Sequence, residues 1–447
     1  MTTTRTAPSR SSLRPHRNTP SPLTGPDDHT ARADRGAVHT AVALVVILTA
    51  GAYLPSTLYP GYQHAFGFDD FVMTWLFATF ALVTGPTLLL CGSAADALGY
   101  RPVLRVSLLC AAVGSGCFAL ADNAVWLFAG RVGQALALGA ATGAAQALIT
   151  RHRSPAARVG GPLLATAAFV AGTAAGPAVS GVLAHYVPGP LLTPYLLHLM
   201  LLAWVWNRLR RTVSEPVSHL PGQRGWRPTR PRIPASARAL FWAAGLNGFL
   251  AWAVVGIYLA LVPSLLARTL RNDDPALTGV LLAGVLICSL LTQLAAAQHR
   301  AHNAQRVGLA ALIASLLLLA ATGSSSLPAT LGAAALAGAG HGPTFSGAVR
   351  AVAARTPDDH HAGTGAALYL LFYLGSGTPA VIVGILTTSM SLTTAVTHLG
   401  WVGAGLGVLA WLATGRDRSR TDASSPAGIP PTRPTQSAFP QFLQTRR

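Results

Sequence analysis

The chain contains no lysine. Its 32 basic residues are all arginine, glutamate occurs once, at Glu215, and Asp and Glu together number 14. Charged residues make up only 10% of the sequence, where a soluble domain carries about a quarter. That shortage excludes an ordinary water-facing surface for a chain of 447 residues. Without lysine there is no Gly-x-x-x-x-Gly-Lys-Ser/Thr phosphate loop, which excludes an ATP-driven pump of that kind. Four cysteines, Cys91, Cys110, Cys117 and Cys288, sit inside or at the end of apolar runs. They read as small packing residues, and not as a disulfide frame or metal site. The histidines form no metal-ligand spacing within the apolar runs, so no cofactor is expected and the chain does not read as an enzyme. Residues 1–36 are polar and rich in Pro and Arg, without the apolar core of a cleavable leader.

What is present is hydrophobic sequence: 51% of residues, with a mean hydropathy of +0.45. A helix needs ~20 apolar residues to cross ~30 Å of hydrocarbon. The sequence predicts twelve such helices, at 39–58, 70–91, 102–121, 124–149, 160–186 and 190–207, then 238–265, 276–297, 306–324, 328–354, 363–388 and 392–414. Only helices satisfy so many backbone groups in lipid, so the expected fold is an all-α membrane protein. A net charge of +18 invites a nucleic-acid reading, but the arginines lie in the tails and in alternate connections between apolar runs. That placement suits the anionic inner face of a bilayer. Arg101, Arg151, Arg153 and Arg158, the run Arg208–Arg238, Arg300, Arg306, Arg350 and Arg355 fall on one side. Asp69, Asp70 and Asp122 fall on the other, whose one exception is the loop holding Arg268, Arg271, Asp273 and Asp274, neutral overall. The positive-inside rule then predicts both termini in the cytoplasm. The polar, proline-bearing stretch 209–237 reads as a linker between halves 39–208 and 238–414. The tails 1–38 and 415–447 have the composition of disordered segments.

Between the second and third helices lies GSAADALGYRPVLR, residues 92–105. Gly92, Asp96, Gly99 and Arg101 fit Gly-x-x-x-Asp-x-x-Gly-x-Arg. The glycines allow close approach or positive φ, and Asp96 lies near a helix start, within reach of Arg101 or Arg105. In the fourth helix Arg131 sits ~10 Å inside the outer end at 1.5 Å per residue, with Gln134 on the same face. A charge at that depth is a functional candidate by default; snorkelling to the headgroups is the alternative. The fifth helix holds Gly172, Gly176, Pro177 and Gly181 as Gly-x-x-x-Gly-Pro-x-x-x-Gly, a small-residue surface for helix packing.

These motifs resemble those of the major facilitator superfamily, in its drug:proton antiporter branch. Tyr100 replaces the usual second basic residue of the loop motif, Ala135 stands for a glycine after Arg131, and Ser180 and Ala165 depart from the fifth-helix signature. PAVSGVL from Pro177 and PAVIVGIL from Pro379, about 200 residues apart, suggest two related halves. The loop 295–306 stands where a second copy of the loop motif would lie, with Arg306 at its arginine and Ala301 at its acid. The resemblance implies two pseudo-symmetric six-helix bundles rocking about a midplane site. It implies a gating latch at Gly92, Asp96, Gly99, Arg101 and Arg105. It also implies a cavity lined by helices 1, 4, 7 and 10. Candidate lining groups are Tyr53, Asn247, Trp252 and Tyr258, with Tyr369 and Tyr373 on helix 11; aromatic rings with few charges suit an amphipathic solute. Proton coupling is expected at Asp70 paired with Arg131, at Gln134, or at His341, which titrates near neutrality but is also a candidate structural histidine. The expected partners are the plasma-membrane bilayer, a small-molecule substrate and protons, with no nucleic acid and a monomeric state. Export is the leading expectation. Import or facilitated entry of a metabolite is the first alternative, and a membrane-embedded enzyme or sensor the second.

Overall fold

The computed structural model describes residues 2, 26–92, 94–153, 157, 159–212, 233–270, 274–322, 326–357 and 361–423, with the backbone alone for 26–33, 70, 96, 236, 261–270, 327, 361–362 and 416–423. The described residues contain fourteen α-helices and no strand. Twelve have 20 residues or more: α1 (Pro26–Tyr53), α3 (Asp70–Cys91), α5 (Tyr100–Ala119), α6 (Ala124–His152), α7 (Gly161–Tyr186), α8 (Thr193–Thr212), α9 (Arg238–Leu270), α10 (Pro275–Ala295), α11 (Ala301–Thr322), α12 (Leu327–Ala353), α13 (His361–Leu386) and α14 (Leu392–Ala423). The short α2 (Tyr59–Phe66) and α4 (Ala94–Leu98) lie in connections. Ten helices are long and apolar enough to cross a membrane. The remaining long two, α8 and α12, are diluted by residues such as His198 and Arg208, and Thr344 and Arg350.

Each long helix matches one predicted apolar run, and the differences lie at the ends. α1 begins at Pro26, inside the predicted tail 1–38. Pro26 in the first turn followed by Asp27 and Asp28 is a helix-start signal independent of hydropathy. α14 runs on to Ala423, past the predicted end at 414. The turn expected at 92–99 contains a helical segment of its own, α4. Residues 213–232 of the expected linker and 424–447 of the expected C-terminal tail lie outside the described residues.

The two ends of the bundle differ chemically. Asp69, Asn123 and Asp274 accept from the Val72, Val125 and Ala276 backbone amides at 2.9, 2.9 and 2.8 Å. They cap α3, α6 and α10, satisfying donors that a helix start leaves open. These starts share one end of the bundle, called here the Asp274 end. Arg101, Arg151 and Arg350 mark the opposite, Arg101 end.

Helices α1–α8 form one six-spanner bundle and α9–α14 another, and contacts inside the first recur inside the second. Gly172 of α7 lies against Val46 of α1, and Gly375 of α13 lies against Phe249 of α9; a side chain at either glycine would collide with the facing carbonyl. Arg105 lies over the Trp206 ring at 5.8 Å, and Arg306 over Trp411 at 4.5 Å. The repeat therefore pairs Arg306 with Arg105, and not with Arg101 as the loop alignment suggests. Arg151 at the end of α6 donates to the Tyr100 hydroxyl at 2.8 Å. Arg350, near the end of α12, donates to the Ala297 and His299 carbonyls at 2.9 and 3.3 Å, closing the end of α10.

The bundles meet along two seams, α7 on α10 and α3 on α13. A Cβ on Gly181 would stand 3.0 Å from the Cα of Gly279, and one on Gly279 3.1 Å from the Cα of Gly181, so the two backbones touch. One turn beyond, His185 Nδ1 meets Asp274 Oδ1 at 2.9 Å across the same seam. On the second seam a Cβ at Gly384 would fall 2.6 Å from Thr74 Cγ2. These contacts close the Asp274 end.

Candidate functional site

At the Arg101 end the bundles part around a cavity of about 780 Å³. The first bundle contributes Leu88, Thr142, Gln146, Thr150 and Arg151 to its wall, and the second Val349, Val352, Thr356, Ala366 and Tyr369. All but Thr356, which follows the end of α12, lie in the halves of α3, α6, α12 and α13 nearest the Arg101 end. The wall is apolar with hydroxyl and amide groups, and among the described residues its lining includes one charged residue, Arg151, and no Asp or Glu.

Behind Tyr369 stands a buried group of rings drawn from both bundles. Phe169 of α7 is 5.6 Å from Trp252, 6.3 Å from Phe345, 6.1 Å from Tyr369 and 6.4 Å from Tyr373. Trp252 meets His341 edge-on at 4.7 Å, and Phe80 joins Tyr53 and Tyr373 at 5.8 and 5.9 Å. This ring group separates the cavity from the closed end. Four of the six candidate lining residues belong to it: Tyr53, Trp252, Tyr369 and Tyr373. The other two do not. Asn247 donates to Gln305 at 2.8 Å and to Thr414 at 3.2 Å, and Tyr258 bonds Ser315 at 3.2 Å. Both are rotated around α9 from Trp252 and hold the second bundle together. Three members, Phe80, Phe169 and Phe345, escape the sequence reading. Phe345 falls one helical turn after His341, a spacing that puts the two on one face and was the available signal.

Arg131 is fully buried in the first bundle. Its environment follows from Pro55. Proline has no N–H, so the Gly51 carbonyl lacks its usual partner four residues on. Gln134 Nε2 donates to that carbonyl at 2.8 Å. Arg131 Nη1 donates to the Ala52 carbonyl at 2.6 Å and to Gln134 Oε1 at 3.2 Å, and Nε to the Leu76 carbonyl at 3.2 Å. The guanidinium lies 4.9 Å from the Phe80 ring centroid. The charge is thus dissolved in carbonyls and π-faces, and Nη2 has no partner. Snorkelling is ruled out by this geometry, because the head group points into the bundle. Asp70 begins α3, and its side chain lies outside the described residues.

His341 Nδ1 bonds Ser289 Oγ at 2.7 Å, and Nε2 is unpartnered. A second buried histidine, His198, bonds Ser115 at 2.7 Å and the Ile47 carbonyl at 3.1 Å, tying α8 to α5 and α1.

In the loop motif Gly99 has φ of +88°, a region that side chains disfavour, and it stands immediately before α5. Arg101 donates to the Arg210 carbonyl at the end of α8. With Arg105 on Trp206, both arginines bind within the first bundle. Gly92 ends α3, 3.9 Å from where a Cβ on Gly143 would stand. Asp96 falls in α4, and its side chain lies outside the described residues. In the fifth-helix motif Gly172 and Gly176 pack on α1, whereas Pro177 and Gly181 pack on α10. The motif therefore serves two interfaces, one inside a bundle and one between bundles.

Twelve membrane-length helices in two repeated bundles, with a one-ended cavity between them, define a membrane transporter fold. Residues 41–300 match the Major Facilitator Superfamily, and the chain belongs to that family. No curated protein matches its sequence. Among solved structures it is similar to the human organic anion transporter MFSD10 (TETRAN), at 17% identity and a TM-score of 0.64 over 85% of this chain and 99% of that one. It is similar to a bacterial homolog of the human lysosomal transporter Spinster in an inward-facing, occupied conformation, at 16% identity and 0.61 over 86% and 96%. It is also similar to the nucleoside transporter NupG, at 13% identity and 0.62 over 86% and 99%. The chain is a multi-pass membrane transporter.

Proposed function

We propose that the chain exports an apolar or amphipathic small molecule by proton antiport, in the cell membrane, as a monomer with both termini in the cytoplasm. The observation that carries this reading is the cavity, walled by both bundles, open at the arginine-rich end and sealed by glycine contacts at the other. With arginines inside, the cavity faces the cytoplasm and loads from there. Bundles 39–208 and 238–414, joined by the linker 209–237, rock about the ring group, which is the barrier the substrate passes. Unwrapping α7 from α10 opens the Asp274 end. Closing the Arg101 end brings the gating turn, Gly92 to Arg105, towards the second bundle. Arg131 and Gln134, with Asp70 and His341, form the proton-coupling set. The ring-rich barrier supports an amphipathic cargo, and the solutes named for the similar structures, organic anions and a nucleoside, are small organic molecules. The test is transport in everted vesicles from a host lacking its own exporters. An imposed proton gradient should drive amphipathic solutes into the vesicles, and its collapse should stop them. Uptake driven the opposite way would identify an importer, and gradient-independent flux a facilitator.

A further inference from the structure

Two ring nitrogens stand together in the barrier without a hydrogen-bond partner. Trp252 and His341 are nearly fully buried, and Trp252 Nε1 and His341 Nε2 have no hydrogen-bond partner. The Ser289 hydroxyl has no other side-chain partner among the described residues; donating to His341 Nδ1, it leaves the ring proton on Nε2. Indole offers only a donor. The hydroxyls of Tyr369 and Tyr373 edge the same ring group and face Gln146 and Thr142. A buried donor without an acceptor is destabilising, and two such groups side by side describe a site for a molecule that brings acceptors.

The charge of that molecule follows from its surroundings. Among the described residues Arg131 is the one buried ionised side chain, and no Asp or Glu is buried. Arg131 is linked to the site through Phe80, whose ring centroid is 4.9 Å from the guanidinium and 5.9 Å from that of Tyr373. The three carbonyl and amide contacts around Arg131 carry no formal charge, so its positive charge has no counter-ion among the described residues. A buried ammonium would find no counter-charge here; a carboxylate would find donors and a cation.

We infer that Trp252 Nε1–H and His341 Nε2–H bind the acid group of an organic anion whose flat apolar body lies against Phe169, Phe345 and Tyr369. This rests on reading the chain as a carrier of amphipathic molecules, and adds the sign of the cargo.

The test uses the full chain in phosphatidylcholine nanodiscs and three probes sharing one ring system: 2-naphthylacetate, 2-naphthylethanol and 2-naphthylethylammonium. Equilibrium binding should favour the carboxylate over the other two by roughly tenfold or more, the scale of one charge-assisted hydrogen bond. Trp252→Phe keeps a ring and removes the N–H. It should weaken the carboxylate by roughly tenfold and the alcohol by less than about twofold. His341→Gln, which retains an N–H donor, should weaken the carboxylate less than His341→Leu does. Tighter binding of the ammonium, equal losses of acid and alcohol in Trp252→Phe, or no binding of any probe would overturn the inference. Movement of the alcohol or amine through proteoliposomes, with the acid unbound, would leave the carrier reading standing and remove only the anion. Binding of the acid with no transport of any probe would do the reverse.

Discussion

The first bundle places its buried charge where the second places alanine. The contact of Gly130 with Gly114 recurs as the hydrogen bond from Ser315 to the Ala333 carbonyl at 2.7 Å. That register sets Arg131 against Ala334 and Gln134 against Ala337. The second bundle buries a histidine a little further along the same helix, His341, beside Trp252. The framework contacts are duplicated: glycine on the first helix, arginine on tryptophan. The functional groups are not. A repeat supplies the hinge-like scaffold, and function grows where the copies part, with a charged core in one bundle and a neutral, aromatic wall in the other.

The largest expected effect comes from removing that asymmetry. Arg131→Met strips donors from three carbonyl oxygens and should cost on the order of 3 kcal/mol, with substrate transport abolished. Ala334→Ser, the matching change in the second bundle, should cost under about 1 kcal/mol and leave transport intact. Thermal unfolding in detergent together with vesicle flux distinguishes them; equal effects would break the comparison. Next in size is the seam between bundles. Gly181→Val forces α7 away from α10, and transport should fall by about tenfold or more, given the 1–3 kcal/mol typical of overpacking. Gly284→Val, where a new side chain meets nothing within 4 Å, is the control and should transport normally. The duplicated contacts should then respond alike: Gly172→Val and Gly375→Val should each destabilise by about 1–3 kcal/mol, measured by unfolding. Smallest are the cation–π pairs. Trp206→Leu and Trp411→Leu should each cost about 0.5–1 kcal/mol, and a large effect in only one would show that the bundles use this contact differently.

The fold was legible because hydropathy and helix length are strong signals in lipid. All twelve runs became helices, and their ends were misjudged where a start is set by Pro26 and its acids, or where α14 outruns its apolar stretch. The burial of Arg131 was one of two readings its depth left open, snorkelling being the other. Its surroundings were not legible, because the Gly51 carbonyl that holds Gln134 is freed only by Pro55, on another helix. Helix rotation explains the lining residues. Asn247 and Tyr258 lie on the same helix as Trp252, yet turn into the second bundle, and composition carries no phase by which to separate them. Phe169 lay unnoticed in an alanine-rich run, since its partners come from three helices of the other bundle. The seam between Gly181 and Gly279 joins segments about 100 residues apart, a pairing no local pattern encodes.

The central claim is that the two bundles open alternately at opposite ends. It is tested most directly by distance distributions from paired spin labels in a chain whose four native cysteines are replaced by serine. One pair, Tyr186→Cys with Leu277→Cys, spans the Asp274 end; the other, Arg211→Cys with Ala354→Cys, spans the Arg101 end. Without substrate, the first should be short and the second long. Conditions that drive transport should populate the opposite arrangement at both ends together. Distances that stay fixed under turnover, or that lengthen at both ends at once, would contradict it.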